Sequence, residues 1–503
     1  MIMKRTIQLV IFLLLLSSIA ITQTAPPPQP PPQLQPRSEA PPAQNPPATG
    51  GWSEERTISP AEAQELFRSV DEILQFVSKD TGLPIKHPVK RELASREQVE
   101  KLIEDRMKDD EDAKRLARSE IVLKKFGLLP RNFNLQSFLV DLLKEQVAGF
   151  YDSRKKTVFL LNWVAPDEQK PVLAHELTHA LQDQNYDIEK WTKAIRSKNG
   201  DDIQADEALV ARQAVLEGQG MVVLIDYLLA PQGGSLLQAP MVADAIVAGM
   251  AGAPGMSVYN RAPTFLQDVL LFPYRYGLSF ERDLLMDGGR HKAFAGVFEN
   301  PPRDSRQVMQ PATYLAGQYV QPLTLPDLTS AAQSYKKHDV GSVGEFDVLV
   351  LLDQYGSPED AKSLSPQWRG GYYWAARVPQ PSGKPDKDPP QDTASIAIAY
   401  VSRWSRPEAA SRFAAIYASG LPKRYKSVRK LTAASFNPDR RPPTAPAQSG
   451  SEIGSALTES VTFLTEEGPV VITPSGSMVV ITEGFDPATA AKIRDAVLKP
   501  LSH

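Results

Sequence analysis

Cysteine is absent from all 503 residues, which excludes disulfides, thiolate metal sites, a cysteine nucleophile and a thioether-linked lipid anchor. Histidine is scarce, with 6 in the chain, so soft-metal chemistry must rest on a few imidazoles together with carboxylates. Neither charge is in excess. The 56 Lys+Arg against 59 Asp+Glu leave a net charge of −3, without the basic footprint of a dedicated nucleic-acid binder. What the chain has in quantity is length, enough for about three domains at roughly 150 residues each. It also has 44 prolines, gathered in a few stretches, so folded blocks are expected to alternate with extended spacers.

The N-terminus reads as an export signal over residues 1–25. Lys4 and Arg5 precede an apolar run from Ile7 to Ile21 that is broken only by Gln8 and two serines. Such a run is short for a span of about 20 residues. It predicts either a cleaved signal or a retained N-terminal anchor. Residues 26–50 follow as a spacer: 11 of the 22 residues from Pro26 to Pro47 are proline, a composition that favours extended polyproline backbone over packing.

The first folded block is expected over 51–320. Ser59-Pro60-Ala61-Glu62 opens a helix with apolar positions at Leu66, Val70, Ile73, Leu74 and Val77. A charged helix over 95 to 125 and an apolar one over 134 to 145 follow. Val147 to Tyr151 and Thr157 to Leu161, around a polar turn, read as a β-hairpin.

The next helix carries His175-Glu176-Leu177-Thr178-His179. His-Glu-x-x-His on a helix puts two imidazoles one turn apart on one face, with Glu176 beside them and able to reach a metal-bound water without being a ligand. Leu173, Leu177, Ala180 and Leu181 form a separate apolar stripe. With 6 histidines in the chain, a chance match is expected on the order of 0.005 times. One Zn2+ per chain is the expected cofactor, and it needs a third ligand. Gln182 and Asn185 stand where a metzincin would need glycine and a third histidine, which leaves a downstream carboxylate. Glu217, in Glu217-Gly218-Gln219-Gly220 within a helix expected over 205 to 230, is the candidate. A lone charge among apolar neighbours is costly there, and the glycines weaken the helix unless another element approaches closely. Asp206 and Glu207 are its rivals. Gln213 and Asp206 share a helical face with Glu217, and Asp183 is placed to accept a ligand's free N–H.

These residues resemble the gluzincin branch of zinc metallopeptidases, and in particular exported bacterial members of that branch. The likeness rests on Glu145 to Asp152, Leu173 to Asp183, Leu216-Glu217-Gly218, Phe272-Pro273-Tyr274 and the stretch from Pro301 to Leu315. Two positions depart from it: Gln219 stands where relatives often have Asp, and Gln310 where they often have His. The resemblance implies a two-lobed catalytic domain. A small sheet should abut the active-site helix, Thr157 to Leu161 should serve as the edge strand on which a peptide lies, and a helical lobe should carry Glu217. Ligands His175, His179 and Glu217 with Glu176 as general base imply peptide hydrolysis on a peptide or protein substrate, with Tyr274, Tyr276, His291 or Tyr314 as the oxyanion donor.

Between Tyr227 and Asn260 the only charge is Asp244, which suits a lid, an apolar wall or a buried insert. From 321 to 503 the pattern changes to an α+β accessory block. Apolar runs at Phe346 to Leu352, Tyr372 to Val378 and Ile396 to Trp404 alternate with helix starts at Ser357-Pro358 and Arg406-Pro407, and polar proline-rich loops interrupt at 379–392 and 438–450. The expected fold class is α+β throughout, for an exported zinc endopeptidase. The competing reading is a catalytically silent surface or periplasmic binding protein with a structural zinc. Membrane contact is expected only through an uncleaved N-terminal segment.

Overall fold

A computed structural model of the chain describes residues 57–107, 110–146, 149–195, 203–249, 257–379, 392–431 and 456–499. The expected signal, the spacer and the loop at 438–450 lie outside the described residues, as does nearly all of the loop at 379–392.

Helix α1 (Pro60–Thr81) starts as its sequence predicts. Ser59 Oγ accepts from Glu62 N at 3.3 Å, and Glu62 Oε2 accepts from Ser59 N at 2.7 Å. The charged stretch after β1 (Lys90–Ala94) is helical wherever it is described up to Lys125, as α2 (Arg96–Met107) and α3 (Asp110–Lys125). After α4 (Leu135–Gln146) come β2 (Phe150–Asp152) and β3 (Thr157–Leu161). The hairpin forms, but β3 is not an edge strand. It lies at the centre of a three-stranded sheet, parallel to β1 on one side and antiparallel to β2 on the other. All five β3 residues are buried, Val158, Leu160 and Leu161 completely, and such an apolar strand is covered on both faces. The free edges belong to β1 and β2.

Helix α5 (Pro166–Tyr186) holds the His-Glu-x-x-His residues and packs on α1 and on α6 (Ile203–Leu229), which holds Glu217. Helix α7 (Met241–Gly249) lies on α8 (Thr264–His291), where Asp244 meets Arg282 at 2.5 Å. Helix α6 is long and apolar enough to cross a membrane, but 89 % of its apolar window is buried. Its composition reflects that enclosure.

The second block is built on seven strands: β4 (Lys336–Ser342), β5 (Trp368–Arg377), β6 (Ile396–Trp404), β7 (Val428–Lys430), β8 (Val461–Thr465), β9 (Gly468–Ser475) and β10 (Met478–Glu483). They form one antiparallel sheet in the order β4-β5-β6-β10-β9-β8-β7. Helices α9 (Glu345–Tyr355), α10 (Pro358–Leu364), α11 (Pro407–Arg424) and α12 (Pro487–Leu498) accompany it. The run Phe346 to Leu352 is thus helix, unlike the two runs after it. Asp347 accepts from Gly344 N at 2.9 Å to cap it, and a helix enclosed on most sides is apolar on most sides. Helices thus accompany a small sheet in the first block and an antiparallel sheet in the second, which is compatible with α+β.

The two blocks share one hydrophobic core. Phe126, at the end of α3, meets Tyr373 and Tyr400 edge-on at ring distances of 6.0 and 5.7 Å, and Phe272 of α8 packs on Phe346 at 4.4 Å. Buried charges cross the same boundary. Lys125 Nζ donates to Glu467 at 2.8 Å, and Arg424, paired with Glu483 at 2.7 Å, also donates to Lys125 O at 3.0 Å.

Candidate metal centre

Three local devices place α5. At its start, the Gln169 side chain accepts from Leu161 N at 2.8 Å and donates to Leu161 O and Val164 O at 2.9 and 2.7 Å. Near its end, Asp183 accepts from Tyr151 OH at 2.7 Å and Lys156 Nζ at 2.6 Å. In between, Glu176 Oε2 accepts from Tyr151 N at 2.8 Å. The hairpin is therefore clamped along the helix, and the β2 edge adjoins Glu176. Asp183 serves the hairpin; the imidazole N–H expected to reach it goes elsewhere.

The apolar stripe of α5 is buried as expected, with Leu173, Leu177, Ala180 and Leu181 at 0–1 % exposure. The other face brings three donors together. His175 Nε2 is 3.1 Å from Glu217 Oε2 and 3.0 Å from His179 Nε2, and His179 Nε2 is 3.5 Å from the same oxygen. Donors about 2.1 Å from one tetrahedral ion stand about 3.4 Å apart, so this triangle fits a metal ion of that size. Among the described residues it is the one group of three such donors close enough to share an ion.

Burial works against both charges of the His179/Glu217 pair, but their mutual attraction prevails. His179 is raised to about 9 and Glu217 lowered to about 2. His175 is held below its ordinary value by burial and by His179. Burial pushes Glu176 up to about 8, which suits a group that must take up and release a proton near neutrality.

The glycines of Glu217-Gly218-Gln219-Gly220 face two different neighbours. A Cβ on Gly220 would lie 2.6–2.8 Å from Cε1, Nδ1 and Nε2 of His175. A Cβ on Gly218 would lie 2.4 Å from Gly277 O on α8. Close approach thus explains both, one toward the histidine helix and one toward α8. Gly220→Ala is expected to displace the His175 ring and weaken Zn2+ binding about tenfold or more. Zinc affinity equal to wild type would show that the ring has room to retreat.

The rival ligands sit elsewhere. Glu207 Oε2 accepts from Ser305 N and Oγ at 3.0 and 2.5 Å, while Asp206 bears electrostatically on Asp339 and Tyr373. Gln213 does support the site, donating to Glu217 Oε1 at 2.6 Å. Of the four oxyanion candidates only Tyr274 is present. Its ring stacks near His175 at 6.3 Å, its hydroxyl bonds Glu217, and burial with the Glu217 and Glu176 charges holds it as a neutral phenol. Tyr276, two residues on, lines a separate cleft of about 540 Å³ on the other side of α8, together with Gln310 and Glu345. Tyr314 OH donates to Asn300 O at 2.7 Å, and His291 is exposed at the end of α8.

Gln219 stood out in the sequence only as a departure from the gluzincin likeness, and Gln182 only as the residue where a metzincin would need glycine. Gln182 Oε1 lies 2.8 Å from His179 Nδ1, and its Nε2 donates to Gln219 Oε1 at 2.8 Å. The only available signal of that contact was that Gln182, three residues after His179, shares its helical face.

Glu281 of α8 adjoins Gly218, fully buried, with both carboxylate oxygens lacking a hydrogen-bond partner. Burial raises its pKa well above the usual range. A carboxyl raised in the folded state contributes stability below its unfolded value, and this is lost as pH rises. Glu281→Gln, which cannot ionise when unfolded, is expected to melt higher than wild type at pH 8 and equally at about pH 4.5. The check is calorimetry at both pH values, and a gap independent of pH would contradict a neutral Glu281.

No family model, curated protein or solved structure matches this chain.

Proposed function

We propose that this chain is an exported zinc-dependent endopeptidase of two-lobed, zincin-like build, with β1–β3 and α5 in one lobe and α6 with α8 in the other. The observation that carries this reading is the convergence of His175, His179 and Glu217, with the Glu176 carboxylate outside the triangle but one residue from its first member. Zinc held there would supply Lewis acidity, polarising a carbonyl and lowering the pKa of a water to about 7.

The chain's own groups do the rest. Glu176 takes the proton of the attacking water as the new C–O bond forms, then delivers it to the amine nitrogen as the C–N bond breaks. Tyr274, a neutral phenol at the site, donates to the developing oxyanion. The β2 edge, whose Tyr151 N–H points at Glu176, replaces β3 as the strand offered to a peptide.

One observation favours the silent alternative: His175, Glu176, His179 and Glu217 are each at most 3 % exposed, and structural sites are closed. Against it, structural zinc takes four protein ligands, whereas three leave a position open. Substitution separates the roles. Glu217→Ala is expected to lower zinc affinity about tenfold or more and to remove cleavage. Glu207→Ala keeps zinc and activity and loses only melting temperature, because Ser305 loses its acceptor. Metal content and peptide-library cleavage of both variants check this, and the assignment fails if Glu207→Ala rather than Glu217→Ala sheds the metal. Cell fractionation checks export.

A further inference from the structure

Gln182, Gln219 and Ala293 form a line of hydrogen bonds that ends on His179, and its direction is fixed from the far end. Ala293 O, in the π-helical turn Lys292–Gly296 that follows α8, can only accept. Gln219 therefore turns Nε2 toward it at 2.7 Å, which presents Gln219 Oε1 to Gln182. Gln182 in turn gives its Nε2 to Gln219 Oε1 at 2.8 Å and to Leu216 O at 3.2 Å, two acceptors that leave its own Oε1 facing His179 Nδ1 at 2.8 Å. An amide oxygen can only accept, so Nδ1 must carry a proton. In the neutral ring this leaves the lone pair on Nε2, the atom turned toward His175 and Glu217. Both glutamines are completely buried, at 0 % exposure, so no water competes for these amides. The π-helical turn is a second observation at this end of the line, because such turns within helices are frequent at functional sites.

We infer that Gln182 and Gln219 are positioning residues of the metal centre: a one-way amide relay, anchored on the Ala293 carbonyl, holds His179 in the tautomer that ligates through Nε2. The inference rests on the proposed metal site but not on turnover. The relay is uncharged throughout, so it orients the ligand without adding a negative charge behind it.

The test is a double-mutant cycle on Zn2+ affinity in the full chain, read by competition with a chelator. Gln182→Leu is expected to weaken binding about 10- to 100-fold, and Gln219→Leu by a smaller factor. The double variant should bind no worse than Gln182→Leu, because Gln219 acts only through Gln182. Nitrogen-15 spectra of the zinc-loaded wild type should show His179 with its proton on Nδ1, a readout that does not depend on either variant folding. Affinities within twofold of wild type, losses that multiply in the double variant, or a proton absent from Nδ1 would each overturn the relay. Cleavage recorded on the same samples separates the two ideas. A chain with the non-additive metal loss but no cleavage keeps the relay and sinks the peptidase. An active wild type whose Gln182→Leu variant binds zinc undiminished does the reverse.

Discussion

Glu176→Gln is expected to bind one Zn2+ per chain, to melt within a degree or two of wild type, and to cleave peptides at least about 10² more slowly. The near-isosteric amide keeps an oxygen for the Tyr151 N–H that Glu176 accepts at 2.8 Å, so the hairpin stays in place. Since Glu176 lies outside the donor triangle, the metal loses no ligand. Only the ability to carry a proton goes. Zinc stoichiometry by elemental analysis, calorimetric melting and single-turnover cleavage form the check. A fall in zinc content alongside activity would make Glu176 a ligand, and unchanged turnover would remove it from the chemistry.

A chain ending at residue 320 is expected to show no cooperative melting transition and no stoichiometric zinc. The cut uncovers Phe126 and Phe272, now 2 % exposed, by removing Tyr373, Tyr400 and Phe346. It also strips Glu345 from Arg306, a pair at 2.9 Å. Each large apolar side chain returned to water costs about 1.5–3 kcal/mol, and several together exceed a domain's usual margin of about 5–15 kcal/mol. Scanning calorimetry with zinc titration decides the matter. A folded, zinc-binding 57–320 fragment would mean that the shared core is an interface between two independent units.

Most of the candidate metal centre was legible because its information is local. His175, Glu176 and His179 are fixed by one helix's periodicity, and Glu217 betrayed itself as a lone charge among apolar neighbours beside two glycines. What was illegible depends on pairing between distant segments. The gluzincin likeness made Thr157 to Leu161 an edge strand, and nothing in those residues says that Lys90–Ala94 will pair on its other side. Phe346 to Leu352 has the apolar density of a buried strand and of a buried helix alike, and only the Asp347 cap at its start tells them apart. Glutamine carries no charge to flag, which is why Asp183 drew attention as the histidine's partner and Gln182 did not. The change near residue 320 was real in topology, since all seven strands of the large sheet follow it. It did not mark a gap between two cores.

The enclosure of α6 has a consequence outside the folded state. On a ribosome, or in any compartment where the chain meets a lipid bilayer before it folds, residues 205–232 present the length and composition of a spanning segment. Asp206, Glu207, Arg212, Glu217 and Asp226 are the charges in that stretch, and a charged residue at the centre of a would-be span opposes lateral insertion by about 2.5–3.5 kcal/mol. Glu217, nearest the middle, therefore weighs against insertion of this segment whether or not the folded chain holds a metal. An apolar substitution there would favour capture of the nascent segment by the bilayer, and the defect would appear in topology and yield before it appeared in catalysis.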